Sequence, residues 1–596
     1  MTPAISPRPS VHAPEAGGAE GKPDASGARA AAPPTPRLEL DAAVDELRRR
    51  RGEWAGLPPS QRLALLEGLI ADFREIAEEW VATAREVEGM AGGSRARGEE
   101  WIAGPYCVLR DLRLLRDSLR DLADGSAPRL PAAPTTRDGQ VVAPVFPASL
   151  WDRMFFPGVA AEVWMEPEVP AGRLADFQAA AYRGAGAASG GRVALVLGAG
   201  NVSSIGPMDA VHKLFVEKQV VLYKSHPVQD PLGPLFERAF GRLVERGFVR
   251  VVYGGAEVGA YLVDHPGVDE IHVTGSDRTY EAMVFGPGED GARRKARGER
   301  RLAKRVTAEL GNVSPWIVVP ADWSPSDLAF HAENLVSSLT NNAGFNCNAT
   351  RVIVTWKGWA QRDELLAAVG DLLAATPVRP AFYPGAADRY DRFLAAHPAA
   401  RTFGERAGDA LPWALLRGLD PADGDEVAFR VEAFCGLFAE VAIDAPSPAR
   451  FVERAVELAN ERLWGSLNVT LSVHPEALAD PETAAALTRA EADLRYGTVS
   501  LNHWAAVGYA LCTTPWGAYP GHPPNDIQSG TGFVHNTFLF DRPQKSVVRA
   551  PFRPFPKPPW FVSHAHAGPL SSELARFEAA PSVARLPRIF WNALRG

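Results

Sequence analysis

The residue whose surroundings best suit covalent chemistry is Cys347, in the stretch Asn341-Asn342-Ala343-Gly344-Phe345-Asn346-Cys347-Asn348-Ala349-Thr350-Arg351. A thiolate is the strongest ordinary side-chain nucleophile toward a carbonyl carbon near neutral pH. Of the four cysteines, Cys107, Cys435 and Cys512 have apolar or small neighbours and read as packing residues, the usual fate of a free cysteine. Cys347 differs because Asn346, Asn348 and Thr350 are poor material for an apolar core. Residues 335–339 read as helix and 352–356 as a β-branched strand, so Cys347 falls on the connection between them, where function concentrates.

The chain that must position this thiol has 596 residues, too many for one hydrophobic core, so two or three domains are expected. Its net charge of -8, from 63 basic and 71 acidic residues, gives no electrostatic reason to expect nucleic acid or a membrane as partner. Four scattered cysteines without a C-x-x-C pair exclude a disulfide scaffold and a cysteine-based zinc site, so no metal is expected, and they suit a reducing compartment. His564 and His566, without a carboxylate or cysteine companion, read as surface residues. With no apolar run of spanning length and no secretory h-region at the start, the expectation is a cytoplasmic protein.

Residues 1–37 are rich in Ala, Pro, Gly and Ser and read as a disordered leader. From 38 to 124 apolar residues recur at helical spacing, as at Leu65, Leu66, Leu69, Ile70 and Phe73. Proline and glycine punctuate 125–160, and a helix is expected near 174–182. Then the pattern alternates. The apolar run 192–197 opens onto Gly198-Ala199-Gly200-Asn201, a helix follows, and a second run ends at Lys224, which makes a βαβ unit of a parallel sheet. Repetition through 249–253 and 270–273 argues a doubly wound nucleotide-binding domain with its ligand at the carboxyl ends of the strands. The charged stretch 286–301 reads as a solvated loop, and 310–505 as a second α/β domain.

Several separated motifs, in order, resemble those of the aldehyde dehydrogenase superfamily over about residues 190–520. Ala308-Glu309-Leu310-Gly311-Asn312-Val313-Ser314-Pro315 is similar to its E-L-G-G-x-x-P segment, and Gly344-Phe345-Asn346-Cys347 to its G-Q-x-C segment. Val273-Thr274-Gly275-Ser276 resembles F-T-G-S, Gly497-Thr498-Val499-Ser500-Leu501-Asn502 resembles G-T-V-x-x-N, and Pro515-Trp516-Gly517-Ala518-Tyr519 resembles P-F-G-G-x. The resemblance implies a Rossmann-type nucleotide-binding domain (38–155 and 190–309) and an α/β catalytic domain (310–505). It adds a β bridging or oligomerisation arm (156–189 and 525–560), a C-terminal tail (561–596), and a homodimer or homotetramer.

It also implies roles. Cys347 would attack an aldehyde, and Asn201 with the Cys347 backbone N–H would stabilise the oxyanion. Glu309 would be the general base that hydrolyses the thioester, although a strand-end carboxylate in a salt bridge is its plain alternative. NAD or NADP would be held by Lys224, by Gly255 and Gly259 at a helix start, by Gly275 and Ser276, and by Glu432 and Phe434 at the nicotinamide end. Three departures stand out. The E-x-F-G-P segment reads Glu432-Ala433-Phe434-Cys435-Gly436, W-N-F-P has become Gly200-Asn201-Val202-Ser203, and Pro227 stands where a ribose-binding glutamate is common, so that NADP is admitted. Asp209 and His212 occupy a helix where aromatic residues are common, and His503 and Trp504 follow Asn502. Two other readings carry different chemistry: a coenzyme A-acylating reductase, and a catalytically inactive scaffold relative.

Overall fold

The computed structural model describes residues 32–90, 93–184 and 190–596, so the expected leader lies outside the described residues except for 32–37. Two sheets organise the molecule. The smaller has six strands in the order Gly530–Thr531, Arg305–Leu310, Glu270–Gly275, Val193–Leu197, Val220–Lys224, Val249–Val252. All run parallel except Gly530–Thr531. The chain winds outward from Val193–Leu197 to Val249–Val252 and then returns to the other side with Glu270–Gly275. This reversal opens a crevice beyond the carboxyl ends of the two central strands, where doubly wound sheets bind ligands.

These strands form where they do because runs such as Val193–Leu197 and Val220–Lys224 are apolar throughout and buried on both faces. One covering layer is the helix Pro59–Val87, whose Leu66, Leu69, Phe73 and Trp80 are fully buried. Phe73 meets Phe240 edge-on at 5.1 Å and Trp80 meets Phe236 at 5.0 Å. Each such side chain contributes on the order of 1.5–3 kcal/mol by burial.

The larger sheet has eleven strands. In order they are Thr135–Arg137, Gln140–Phe146, Ala160–Met165, Pro543–Arg549, Thr498–Leu501, Asn468–Ser472, Pro315–Val318, Val352–Trp356, Leu437–Ile443, Trp413–Leu419 and Arg401–Phe403. The seven from Pro543–Arg549 to Trp413–Leu419 are parallel, and antiparallel strands finish both ends. The strands Ala160–Met165 and Pro543–Arg549, from the segments expected to form an arm, therefore continue the sheet of their own chain. Thr135–Arg137 and Gln140–Phe146, grouped above with the nucleotide-binding half, pair into the same extension.

Four local expectations are corrected. The stretch 286–301 contains the helix Gly288–Arg297 rather than a loop, because Glu289 and Asp290 in its first turn and Arg294, Lys295 and Arg297 in its last complement the helix dipole. Gly298, at φ +68°, closes it. Near 174–182 the chain makes two short 3₁₀ turns, Leu174–Phe177 and Ala180–Tyr182, instead of one helix. The C-terminal tail folds into Ala567–Ala579 and Leu586–Ala593. His564 is buried, not on the surface, and the terminal Gly596 packs against its ring.

A buried ion network fixes that tail. Arg110 donates to Asp152 at 2.9 Å, to Glu578 at 2.8 Å and to the Leu511 carbonyl at 2.8 Å, while Arg113 reaches the other Glu578 oxygen at 2.6 Å. Removing one member of such a set costs about 3–5 kcal/mol, since it strands a buried charge.

Candidate active site

The helix Pro325–Thr340 leads into the Cys347 loop and begins with a capping box, Ser324 and Asp327 each satisfying the other's backbone N–H. Beyond Thr340 the chain turns sharply, with Asn342, Ala343 and Gly344 at φ +50°, +51° and +84°. Glycine is required at the last of these, because a Cβ on Gly344 would lie 2.5 Å from the Cys435 carbonyl oxygen. The left-handed residues 342 and 343 persist because their surroundings hold them. Buried Arg351 donates to the carbonyls of Gly344 at 2.6 Å and Cys435 at 2.7 Å. The Asn342 backbone N–H reaches Glu99 at 3.2 Å, and Glu99 is paired with Arg95 and Arg379.

Asn201, following the strand Val193–Leu197, is tied to this loop in both directions. Its Nδ2 donates to the Phe345 carbonyl at 2.9 Å, and its backbone carbonyl accepts from Asn342 Nδ2 at 2.7 Å. The Cys347 carbonyl accepts from Ser314 Oγ at 3.2 Å and from Asn468 Nδ2 at 3.3 Å, which anchors the loop to the larger sheet. Cys347 is the one cysteine that is not fully buried.

Glu309, near the end of Arg305–Leu310, stands beside Cys347. Burial lifts its carboxyl to about 8, Asp209 adds to the rise, and the Cys347 thiol and Trp516 indole oppose it without reaching normal hydrogen-bond geometry. Cys347 is pushed well above the usual thiol range by burial and then by the charges of Glu309 and Glu432. Both groups therefore hold their protons at rest, and each makes the other harder to ionise. The salt bridge weighed as an alternative for Glu309 is absent among the described residues: neither carboxyl oxygen has a hydrogen-bond partner there.

The residues expected to hold a nucleotide fall into two groups. Lys224, Gly255, Gly259, Gly275 and Ser276 line the carboxyl end of the smaller sheet. Gly255 caps the helix Ala256–Asp264, and a Cβ at either Gly255 or Gly259 would meet nothing within 4 Å. Ser276 caps Asp277–Val284 by accepting from the Thr279 N–H at 3.2 Å. Lys224 is buried enough to bring its ammonium down to about 8. Glu432 and Phe434 come from the other half. A Cβ on Gly311 would lie 2.0 Å from Glu432 Oε2, so this carboxyl packs directly against the chain two residues beyond Glu309. Burial raises Glu432 to about 7, and its Oε1 has no partner among the described residues.

Several participants escaped the sequence reading. Arg351, four residues past Cys347 and just before the strand Val352–Trp356, gave no signal of its role. Asp230 lies beside Lys224; burial raises its carboxyl above the usual range, against the opposing Ser225 hydroxyl and Lys224 charge. It sits six residues downstream, where no motif would find it. Tyr383 stacks against Phe345 (centroids 5.9 Å apart) and against His226 (6.0 Å), and meets Phe434 edge-on at 5.0 Å, joining the two halves. His503 and Trp504 lie off the thiol: Trp504 Nε1 donates to the Asn348 carbonyl at 2.7 Å, and His503 packs on Trp560. Among the described residues no three His, Cys, Asp or Glu side chains are placed to hold a metal ion, and no helix is long and apolar enough to cross a membrane.

Comparison with known proteins gives a consistent assignment. Residues 220–386 match the model of the aldehyde dehydrogenase family. A stretch of 118 residues is 37% identical to 1-pyrroline-5-carboxylate dehydrogenase 2 of Bacillus subtilis, covering 20% of this chain and 21% of that protein. A stretch of 241 residues is 27% identical to betaine aldehyde dehydrogenase 1 of Oryza sativa subsp. japonica, covering 38% and 43%. The chain thus matches less than half the length of these curated relatives. In fold it is similar to an NADP-dependent glyceraldehyde-3-phosphate dehydrogenase from Bacillus halodurans complexed with NADP, at TM-score 0.57 and 19% identity, over 87% of this chain and 92% of that one. It is also similar to an NAD-dependent aldehyde dehydrogenase from Sinorhizobium meliloti, at TM-score 0.57 and 18% identity, over 88% and 89%. Residues 220–386 thus carry the aldehyde dehydrogenase family's match, and the two sheets together have the fold of these solved aldehyde dehydrogenases.

Proposed function

We propose that this chain oxidises an aldehyde to a carboxylic acid with NAD or NADP, through a thioester on Cys347. The observation that carries this reading is the convergence of Glu309 and Asn201 on the Cys347 loop, from parts of the chain 108 residues apart (309 less 201). Once Glu309 is ionised it accepts the thiol proton, and the sulfur attacks the aldehyde carbon. The oxyanion so formed needs donors already in place, worth about 3–4 kcal/mol each. Asn201 spends one amide hydrogen on Phe345 and keeps a second for this purpose, beside the Cys347 backbone N–H.

A bound nicotinamide nucleotide would supply the hydride acceptor. The residues suit it: Gly255 and Gly259 leave open space at a helix N-terminus for a pyrophosphate, the exposed Ser276 hydroxyl can donate when Thr279 Oγ1 donates to it, and Glu432 Oε1, without a hydrogen-bond partner among the described residues, can meet a ribose hydroxyl. Asp230 beside Lys224 would repel a 2'-phosphate, which favours NAD over NADP and offsets the missing glutamate at Pro227. Once the thiol proton has passed from Glu309 to solvent, the carboxylate takes a proton from water as the water oxygen attacks the thioester, and the C–S bond breaks to release Cys347 as a thiolate. A base so close to the sulfur favours hydrolysis over acyl transfer to coenzyme A. The test is Cys347→Ala: oxidation of a panel of aldehydes is expected to fall below detection while nucleotide binding persists in calorimetry. Turnover by that variant would remove the thiol from the mechanism.

A further inference from the structure

Behind Glu309 lies a cluster of polar side chains that the mechanism above leaves unused. Its position follows from the strand register. In the parallel ladder Thr274 pairs with Glu309 and His272 with Thr307, so with a side-chain period of two all four share one face. The helix Ile205–Val211 covers that face and lowers Asp209 onto it. Thr274 Oγ1 donates to Asp209 Oδ2 at 3.0 Å, and His272 Nε2 lies 3.3 Å from the same oxygen. His272 Nδ1 is 2.9 Å from Thr307 Oγ1, which donates in turn to the Ile271 carbonyl. Thr274 Oγ1 also lies 3.4 Å from His272 Nε2, so the hydroxyl, the ring and the Asp209 carboxylate form one polar set.

The chain of groups continues outward. His212 follows Asp209 by three residues and lies on the same side of the helix. Its Nε2 is 3.6 Å from Glu217, whose side chain is 19% exposed and paired with Lys213. Asp209, His272 and His212 are otherwise buried. Asp209 Oδ1, His212 Nδ1 and both ring nitrogens of neighbouring His535 have no hydrogen-bond partner among the described residues. Buried polar atoms are rarely left so, and a cluster of them behind Glu309 has the makeup of a proton conduit.

We propose that Asp209, His272 and His212 carry the proton taken up by Glu309 away from the active site to Glu217 at the surface. The inference rests on the hydrolytic reading above. In balance, the water O–H bond breaks, its oxygen bonds to the acyl carbon, the C–S bond breaks, and the proton resides on Glu309. Glu309 returns to its carboxylate by passing that proton to Asp209, which passes it through the imidazoles to Glu217 and solvent. No electrons move in these transfers. The groups facing Asp209 include Glu309 on one strand, His272 and Thr274 on the next, Tyr223 from Val220–Lys224, His212 on its own helix, Asp111 from Cys107–Ala123, Tyr509 from Ala506–Leu511, and His535. Burial holds His212 and His535 below the usual imidazole range, which leaves both neutral and able to accept.

The test uses the full chain with an aldehyde and nucleotide. Asp209→Asn keeps an acceptor for Thr274 but cannot take a proton. It is expected to keep the rapid first turnover of nucleotide reduction and to lower steady-state kcat about 10- to 100-fold. His212→Gln, nearer the surface, is expected to lower kcat less and to recover with added imidazole buffer, a response that a packing defect would not give. A second readout needs no turnover: in Asp209→Asn the pH inflection of Cys347 alkylation by iodoacetamide should move down, because the negative charge next to Glu309 is gone. Unchanged kcat, loss of the first turnover as well, no response of His212→Gln to imidazole, or an unmoved alkylation inflection would each overturn the conduit. Failure of the function itself would look different, as full turnover by Cys347→Ala or Glu309→Gln.

Discussion

Between Asn341 and Arg351 the backbone is held from every side. The carbonyls of Gly344, Phe345 and Cys347 each accept a side-chain donor, and the Asn342 N–H is bound by a carboxylate that is itself paired. Around Gly255, Gly259 and Ser276 the opposite holds: two glycines face open space, and Ser276 is exposed. On the proposed mechanism the first region must place one sulfur within a fraction of an ångström, and its backbone is over-determined and tolerates left-handed residues that would not persist alone. The second must admit a large ligand, so it offers room and free donors. Rigidity is concentrated where a bond is made, and space where a molecule is bound.

That contrast can be broken at its strong side first. Arg351→Met removes the donors from the carbonyls of Gly344 and Cys435 and should cut kcat about 100-fold, the scale of a misplaced reacting group, with nucleotide binding kept. Steady-state kinetics beside calorimetry would show it, and an unchanged kcat would mean that the loop holds itself.

The ionisation of the site comes next. With Glu309 at about 8, roughly one carboxyl in eleven is charged at pH 7 and about ten in eleven at pH 9, so kcat should climb about 10-fold across that range. The folded state holds a proton that an unfolded chain releases near 4.5. Glu309's contribution to stability is therefore fully present below about 4.5 and lost as pH rises through about 8. Glu309→Gln should flatten the fall in Tm measured between those pH values.

On the open side the effects should be smaller and confined to binding. Gly259→Val fills space next to the helix start and is expected to raise the nucleotide KM about 10-fold while kcat and Tm stay near wild type, since the added atoms displace no protein. Asp230→Asn should shift the NADP-to-NAD ratio of kcat/KM toward NADP by several-fold, on the order of 1 kcal/mol. If either lowered kcat instead, the separation between the two regions would not hold.

Much of this was legible beforehand for physical reasons. The βαβ alternation from 192 to 310 is local, because each strand is an apolar run and each turn is marked by glycine, and the six-stranded sheet follows it. Cys347 declared itself by polar neighbours. What stayed hidden depends on distant partners. The tail helix Ala567–Ala579 has its amphipathic face completed by residues near 98–113, more than 450 positions earlier, and Asp209 acquires a role only once the ladder pairs Thr274 with Glu309. The strand Gln140–Phe146 was masked by the prolines around it, Pro144 among them, which a strand near a sheet's end tolerates. The helix 288–297 lacks an apolar stripe, so periodicity could not reveal it, although its charges could have.

The larger sheet also sets the order in which this protein can be made. Its strand Thr498–Leu501 is flanked on one side by Pro543–Arg549, which leaves the ribosome some forty residues later and in turn carries Ala160–Met165. Until then the nascent chain presents an uncovered β edge of Thr498-Val499-Ser500-Leu501, the kind of surface that recruits other unfinished chains. Synthesis halted before residue 543 would leave that edge permanently bare, so premature termination should yield aggregates rather than a smaller folded protein.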